Sequence, residues 1–219
     1  MKKIALSWSG GKDSLMALLA LEAQPDIEIC ALVTTVTDPQ QRISMHGVHE
    51  SLLDAQAAAL ELPLVKCRLP AAADNNAYRE NFAAGLTPLI TAGMTGLAFG
   101  DLFLEDVREF REAQMRDLGL EALFPIWDTP TDTLANAFIA LKQNAVLCCI
   151  DSTQLSPDFV GREYDTKLLR ALPDTVDPCG ENGEFHTFAY ASPRFGQSIS
   201  FNTGEIHIAA ERFHFLDLI

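Results

Sequence analysis

One stretch near the start of the chain, residues 7–14, constrains the fold more than any other. It has the sequence SWSGGKDS, it follows a short apolar run at residues 4–6, and the leucines after it recur at helical spacing. Gly10 and Gly11 permit positive φ angles and a close approach of the backbone to a ligand. The first turn of a helix presents unpaired N–H groups and the positive end of its dipole to an anion. The stretch therefore predicts a strand, a phosphate-binding turn and a helix in direct succession.

Two common nucleotide-binding loops do not match this stretch. A Walker A loop needs a glycine five positions before its Gly-Lys pair and a Ser or Thr directly after the lysine, but this chain has Leu6 and Asp13 there. A dinucleotide-binding fingerprint needs a third glycine at a spacing that is absent here. The alternative without a ligand is a serine- and glycine-rich turn between a strand and a helix.

The sequence SGGKDS, after a strand and at the start of a helix, resembles the pyrophosphate loop of the ATP pyrophosphatases. Those enzymes attack the α-phosphate of ATP and release AMP and pyrophosphate. The resemblance implies Mg²⁺ and ATP as cofactors, with Lys12 neutralising phosphate charge and Asp13 orienting the loop or binding the metal. We expect both residues to act in catalysis. The other residues expected to bind ATP are Ser7, Ser9, Gly10, Gly11 and Ser14, with Val33 and Thr34 beside the base.

The apolar runs beyond the loop alternate between strands and helices. Strands are predicted at residues 27–36, 64–69, 96–99 and 145–150, and helices at residues 48–60, 78–90, 105–118 and 133–142. Residues 37–44 lack apolar periodicity and are predicted to form a loop. The alternation indicates an α/β fold with a doubly wound parallel sheet. We expect a nucleotide-binding domain at residues 1–150, with about six strands, and a smaller substrate-binding region at residues 151–219.

Polar residues near the predicted strand ends are further candidates for the site. Asp101 follows a strand, where open α/β sheets bind ligands, and is expected to meet ATP through a metal or the ribose, or else to cap the next helix. His46 at the end of a loop either contacts the nucleotide or substrate or is structural. Arg108 and Arg111 lie one turn apart on a helix and are candidates for phosphate or substrate contact. The alternative is that they only pair with neighbouring glutamates.

A second stretch, residues 178–187 with the sequence PCGENGEFHT, concentrates groups suited to chemistry. The alternative is an ordinary turn whose glycines and asparagine take left-handed conformations. A turn does not need this concentration of Glu and His, whereas acid–base groups on an anchored loop suit a catalytic site. The residues expected at the acyl substrate are Gly180, Glu181, Asn182, Glu184 and His186, of which Glu181 and Glu184 are also expected to be catalytic.

The acidic composition limits the partners. The formal net charge is −14 at pH 7, and a tRNA-modifying enzyme needs a basic face to neutralise phosphates. The charge argues against a nucleic-acid partner and favours a small molecule or a cationic protein site. No apolar run reaches the length of a membrane span, and the five cysteines lack metal-binding spacing. We therefore expect a cytoplasmic protein that has reduced cysteines and no membrane partner.

Several motifs together resemble the diphthine–ammonia ligase family. They are SGGKDS, Gly100-Asp101 before a helix rich in Glu and Arg, Pro125-Ile126-Trp127, Gly161-Arg162-Glu163, and GENGEFHTF near the end. The first motif is specific only to the superfamily, whereas the last is much more specific to this family. The resemblance implies a Rossmann-like HUP domain and a ligase that adenylates a carboxylate with ATP and then transfers ammonia. The implied substrate is diphthine on an elongation factor or another carboxylic acid, and free ammonium is the expected nitrogen donor.

The resemblance also suggests a pocket for a cation, because diphthine carries a quaternary ammonium beside its carboxylate. Glu181 and Glu184 would hold this group beside Phe185, with Trp8 or Trp127 nearby. Two other functions stay open, an RNA thiolase with the same loop and a nucleotide-sensing protein without catalysis. The net charge opposes the first, and the presence of the Lys-Asp pair in the loop opposes the second. A homo-oligomer also stays open.

Overall fold

A computed structural model of the chain describes residues 1–38, 40–43, 46–71 and 74–219. The strands are β1 (Lys2–Ser7), β2 (Ile27–Asp38), β3 (Arg42–Ile43), β4 (Leu64–Pro70), β5 (Gly96–Ala98), β6 (Glu121–Leu123), β7 (Asn144–Asp151), β8 (Phe185–Ala191), β9 (Thr203–Ala209) and β10 (Phe213–Leu218). The helices are α1 (Lys12–Glu22), α2 (Glu50–Leu60), α3 (Asn75–Thr91), α4 (Glu105–Asp117), α5 (Thr131–Ala140) and α6 (Thr166–Ala171). None of these described helices is both long enough and apolar enough to cross a membrane.

A parallel sheet forms the first half of the molecule. β1 pairs with β2 on one side and with β5 on the other, β4 pairs with β2, and β6 pairs with β5. The order of these strands is therefore β4-β2-β1-β5-β6, and the direction of winding reverses between β1 and β5. Ligands of open α/β sheets bind beyond the carboxyl ends of the strands at such a point. The predicted fold class, an α/β fold with a Rossmann-like sheet of the HUP type, is confirmed.

Helices cover both faces of this sheet. Neighbouring residues of a strand point to opposite faces, so Ile4 and Leu6 enter a core shared with α1, α2 and α5. Ala5, between them, enters a second core shared with α3 and α4. The sheet is thus doubly wound, as the alternation of apolar runs predicted.

The predicted loop at residues 37–44 is partly wrong. β2 continues to Asp38 and pairs with β4 as far as Pro70. The other side of β2 accepts the short antiparallel strand β3, with Val36 opposite Ile43 and Thr37 opposite Arg42. Backbone pairing holds this segment without an apolar period, so the sequence pattern did not indicate a strand. Pro39 and Ser44 of the predicted loop lie outside the described residues.

β7 belongs to a second sheet, and its predicted place among the strands of the nucleotide-binding domain is wrong. This second sheet has the order β8-β7-β10-β9, and its pairs are antiparallel. All residues of β7 after Asn144 are buried. A buried central strand looks the same in sequence whichever sheet it joins, so the apolar run could not assign it. The division of the chain near residue 150 stays a prediction.

Candidate active site

A cavity of about 370 Å³ opens at the carboxyl ends of β1, β2 and β5. Of the residues predicted for ATP, those that line it are Ser7, Ser9, Lys12, Asp13, Ser14, Val33, Thr34, His46 and Asp101. Of those predicted for the substrate, the lining residues are Gly180, Glu181, His186 and Arg111. Within the described ranges, the predicted residues that do not line the cavity are Gly10, Gly11, Asn182, Glu184 and Arg108.

The two glycines of the loop allow close packing around it. Gly10 has a φ of +78°, and a Cβ at this position would lie 2.8 Å from Oε1 of Gln56. A Cβ at Gly11 would lie 2.9 Å from both Cε1 of His46 and the carbonyl oxygen of Thr187. Each distance is too short for a real Cβ, so both positions require glycine. Gly10 and Gly11 therefore determine the shape of the loop, although neither residue lines the cavity.

Strand β8 holds the loop through hydrogen bonds that span most of the chain. The Ala189 amide donates to the Gly10 carbonyl at 2.8 Å, and the Lys12 amide donates to Oγ1 of Thr187 at 3.0 Å. Gln56 of α2 adds a second link, because its Nε2 donates to the carbonyl oxygens of Gly10 and Ala189. Its Oε1 accepts from the indole of Trp8 at 2.8 Å. The two stretches singled out in the sequence are thus joined directly.

The buried Lys12 forms an ion pair with the partly exposed Asp13 at the start of α1. The Lys12 side chain is 4% exposed, and its Nζ lies 2.7 Å from Oδ2 of Asp13. The ammonium also donates to the Cys179 carbonyl and lies 5.6 Å from the ring centroids of Tyr164 and Phe185. Burial acts to lower the pKa of Lys12, but the charge and hydrogen bonds of Asp13 oppose it and leave that pKa raised. The lysine therefore keeps its positive charge.

The turn at residues 178–184 is organised by an aspartate that precedes it. Oδ2 of Asp177 accepts from the amides of Cys179 and Glu181 at 3.1 and 2.9 Å. Oε1 of Glu184 accepts from the Asp177 amide at 2.9 Å and from Nδ2 of Asn182 at 3.1 Å. The turn is therefore closed by its own carboxylates, and Glu184, at 2% exposure, points into it.

This geometry does not support the cation pocket predicted around Glu184. The Glu184 carboxylate is engaged by the turn, and Lys12 already occupies the face of Phe185. Trp127 is covered by the guanidinium of Arg108 at 4.7 Å. Because the protein's own cations use these rings, a ligand cation would have to displace them. Glu184 and Asn182 bond each other within the turn, and their predicted roles at the substrate stay predictions.

Glu181 differs from Glu184 although the two lie three residues apart. It lines the cavity, and its Oε1 accepts a hydrogen bond of 2.7 Å from the Leu102 amide. Burial raises the pKa of Glu181 to about 7, the Leu102 hydrogen bond opposes this rise, and the charge of Asp13 adds to it. This carboxyl group can therefore gain or lose a proton near neutral pH.

Two histidines lie side by side in the cavity wall. The rings of His46 and His186 are 4.7 Å apart between centroids, and Nδ1 of His46 lies 3.1 Å from the Thr187 carbonyl. Burial lowers the pKa of His46 to about 4 and that of His186 well below its usual range. Nε2 of His186 is buried and has no hydrogen-bond partner among the described residues. Both imidazoles are therefore neutral at physiological pH.

The two arginines of α4 have different positions. Arg111 lines the cavity, where its Nε lies 3.5 Å from Oδ2 of Asp101. Burial raises the pKa of Asp101, and the charge of Arg111 opposes this rise. Arg108 instead pairs with Glu112 at 2.9 Å and stacks on Phe124 and Trp127. Arg108 therefore forms the ion pair on the helix surface that was the alternative to ligand contact.

The cavity wall beside β2 combines aromatic rings with one unpaired hydroxyl. Tyr78 and Phe82 of α3 stack with centroids 5.7 Å apart, and both line the cavity with Phe99. Thr34 is 3% exposed, and its Oγ1 has no hydrogen-bond partner within the described part of the chain. A flat, polar-edged ring system would suit this wall, because it could stack on the aromatic faces and bond the hydroxyl.

Sequence reasoning missed several residues that shape the site. Gln56, Asp177 and the Leu102 amide all contact predicted site residues, and Tyr164 donates to the Pro178 carbonyl at 2.6 Å. A signal existed only for Asp177, because an aspartate directly before a proline- and glycine-containing turn is a common turn initiator. The other residues act through contacts between distant parts of the chain.

Comparison with known proteins assigns the family. Residues 1–122 match the family model described as the diphthamide synthase N-terminal domain, which is more than half of the chain. The chain belongs to the diphthamide synthase family. It is also 25% identical over 231 aligned residues to a diphthine–ammonia ligase of Rattus norvegicus, and the alignment covers 94% of this chain and 86% of the relative. The family predicted from the motifs is therefore confirmed.

The region that matches the diphthamide synthase model includes the loop at residues 7–14, the end of β2, and Asp101 with Arg111. The turn at residues 178–187 lies outside that region, in the part that the structure joins to the loop through β8. The chain is therefore related to a protein that is named a ligase.

Proposed function

We propose that this diphthamide synthase family member is an ATP-dependent carbon–nitrogen ligase. It adenylates a carboxylate with release of pyrophosphate, and ammonia then displaces AMP to form an amide. The observation that carries the proposal is the direct junction of the two stretches, where the Gly10 carbonyl and the Lys12 amide bond β8. A phosphate-binding loop alone suits many nucleotide-binding proteins, whereas acid–base groups facing the same cavity suit group transfer.

ATP would lie with its phosphates on the loop and its base beside β2. The hydroxyls of Ser9 and Ser14 line the cavity at the start of α1 and would face the phosphates, at the positive end of the helix dipole. The amides of Gly11 and Lys12 already donate to Ser9 and Thr187. The adenine would stack on Tyr78 and Phe82 and bond Oγ1 of Thr34, whose polar atom is otherwise unpaired among the described residues. Adenylation converts a carboxylate into a reactive acyl group, and the Lys12 charge stabilises the negative charge that develops on the phosphates.

Mg²⁺ would accompany ATP. Asp13 stays the predicted magnesium ligand. Both of its oxygens accept hydrogen bonds from Nζ of Lys12, so a metal ion at this carboxylate would compete with that ammonium. The described residues contain no group of three or more His, Cys, Asp or Glu side chains arranged for a metal ion. We therefore derive no step from a metal bound to the protein.

The acyl substrate would approach from a second hollow that adjoins the cavity. This hollow has a volume of about 380 Å³ and shares Tyr78, Val107 and Arg111 with the first. Arg111 at the junction could bind a carboxylate from either side. Diphthine on an elongation factor is the first substrate to test, because the rat relative is named a diphthine–ammonia ligase. Another carboxylic acid in the same position would follow the same chemistry.

The proposal keeps the two regions, and their separate ligands, that were predicted from the sequence. Residues 1–150 would bind ATP, and residues 151–219 would bring the turn with Glu181 to the substrate. All five cysteines lie in the described ranges and are free, which suits a reducing cytoplasm.

The test is the identity of the nucleotide product. Purified protein would be incubated with ATP, Mg²⁺, ammonium and a panel of carboxylic acids that includes elongation factor carrying diphthine. We expect AMP and pyrophosphate, because the loop lacks the Walker A features that organise transfer of the γ-phosphoryl group. ADP and phosphate in the presence of an active acid would show that the loop is assigned wrongly. ATP binding without any turnover across the panel would favour the nucleotide-sensing alternative.

A further inference from the structure

Glu181 lines the same cavity as Lys12 and Ser14 of the phosphate-binding loop. Its carboxylate lines the cavity with those of Asp13 and Asp101, and the charged groups acting on it are Lys12, Asp13 and Asp101. Lys12 and Arg111, which also line the cavity, lie against Asp13 and Asp101, so the ionised form of Glu181 supplies the negative charge that attracts a small cation. Ammonium is such a cation, but it has no lone pair and cannot attack a carbonyl carbon until it loses a proton.

We propose that Glu181 is the proton acceptor that converts bound ammonium into the nucleophile ammonia. This role rests on the proposed ligase function and adds to it the group that activates the nitrogen donor.

The neighbouring groups are less suited to this task. Both oxygens of Asp13 are bound by Lys12, and Asp101 faces Arg111. Glu184 does not line the cavity. Burial lowers the pKa of His46 to about 4 and that of His186 well below its usual range, so both imidazoles are weak bases. Glu181 keeps one oxygen beyond its bond to the Leu102 amide, and its pKa of about 7 is close to the pH at which the enzyme would work.

The step balances in atoms and electrons. One N–H bond of ammonium breaks, and its proton moves to a Glu181 oxygen while the electron pair stays on nitrogen. That pair forms the C–N bond to the acyl carbon, and the bond from this carbon to the AMP oxygen breaks with its electrons staying on AMP. The new amide nitrogen loses a second proton to water, and Glu181 returns its own proton to solvent before the next turnover.

The test compares two nucleophiles in Glu181→Gln, which keeps the side-chain shape and can still accept from the Leu102 amide. Hydroxylamine is largely neutral near pH 7 and needs no proton acceptor before attack. With the acid that supports AMP release in the panel, we expect pyrophosphate exchange and hydroxamate formation within about threefold of wild type. Amide formation from ammonium should fall by about 100-fold or more. Glu205→Gln on exposed β9 is the matched control and should leave all three rates unchanged.

The pH dependence gives a second readout. At a fixed concentration of total ammonium, the rate of Glu181→Gln should rise steadily with pH, because free ammonia forms in solution. The wild-type rate should show an additional inflection near pH 7, because the ionised carboxylate is the active form, and this inflection should be absent in the variant. Equal losses with ammonium and hydroxylamine would make Glu181 a positioning residue and overturn the proposal, as would full activity with ammonium. If wild type releases no AMP with any acid, the ligase function itself is wrong and this role is lost with it.

Discussion

At the scale of single residues, the site places four carboxylates of similar chemistry in four different surroundings. Asp13 pairs with a buried ammonium, Asp101 faces a guanidinium, Glu184 closes a turn, and Glu181 has a single backbone donor. Charge and hydrogen bonding to the ionised form stabilise it, whereas burial without them favours the protonated form. Burial raises the pKa of Asp13, Asp101 and Glu181 alike, and Lys12, Arg111 and the Leu102 amide respectively oppose that rise.

The pair of Lys12 and Asp13 gives a prediction at this scale. Lys12→Met removes the ammonium and leaves the partly exposed Asp13 carboxylate without its partner, so the free energy of unfolding should fall by about 2 kcal/mol. Urea unfolding measures this change. The double variant Lys12→Met/Asp13→Asn should lose less than the sum of the two single variants, because the second change removes the unpaired charge.

The control for this pair is Lys167→Met on the exposed face of α6, which should change the free energy of unfolding by less than about 0.5 kcal/mol. Strict additivity of the Lys12 and Asp13 variants would mean that the two side chains do not stabilise each other. ATP turnover should be lost in each site variant, since the Lys12 charge also acts on the phosphates.

At the scale of elements, the loop between β1 and α1 is held by β8 and α2. Gln56 of α2 links the loop to β8, because it bonds the Trp8 indole and the Gly10 carbonyl in the loop and the Ala189 carbonyl in β8. It is 0% exposed. A fully buried glutamine with its amide nitrogen and oxygen both bonded fixes the distance between the elements that it joins.

Gln56→Leu should therefore loosen the loop. The substitution leaves the Trp8 indole and the Ala189 carbonyl without their side-chain partner in a buried place, and we expect a loss of about 3 kcal/mol in the free energy of unfolding. ATP affinity, measured by calorimetric titration of the folded variant, should fall as well because the loop is no longer held in its bound shape.

Gln24→Leu provides the comparison, since Gln24 is exposed just after the end of α1 and its side chain bonds the Ala20 carbonyl of that helix. It should change neither stability nor ATP affinity measurably. If Gln56→Leu bound ATP as tightly as wild type, the loop would be held without α2.

At the scale of the whole molecule, the buried Asp151 at the end of β7 stabilises the second sheet. Asp151 accepts from Arg212, with Nε at 3.0 Å from its Oδ1, and from Thr153 and Gln154. Burial acts to raise the pKa of Asp151, but these donors lower it to about 2. The ionised carboxylate thus connects β7 with the segment that links β9 and β10.

Asp151→Asn should lower Tm at pH 7 by on the order of 5 °C. The pKa of this acid is lower in the folded chain than in the unfolded chain, so its stabilisation is complete above about pH 4 and is lost as the pH falls through about 2. The difference in Tm between wild type and variant should therefore shrink below about pH 4. Asp158→Asn, at an exposed position, should show no such difference, and a gap independent of pH would mean that the charge of Asp151 is not what stabilises β7.

Local features of the sequence were enough for the fold class and for the first half of the site. The loop at residues 7–14 depends on backbone angles that Gly10 permits, and the alternation of apolar runs depends on faces that each segment must bury. Both features arise from residues that are neighbours in the chain, so the sequence indicates them without knowledge of the tertiary contacts. The density of acid–base groups at residues 178–187 is local in the same way and correctly marked a stretch that adjoins the cavity.

Only the tertiary structure decided which of these groups face a ligand. Glu181 and Glu184 are three residues apart, yet one lines the cavity and the other bonds Asp177, because the direction of a side chain follows from donors that the fold supplies. The sheet that β7 joins, and the bond between Lys12 and Thr187 across 175 positions, likewise depend on contacts between distant segments. Desolvation and charge pairing arise from those contacts, so the sequence by itself determined the groups available for chemistry, and packing decided their protonation and their partners.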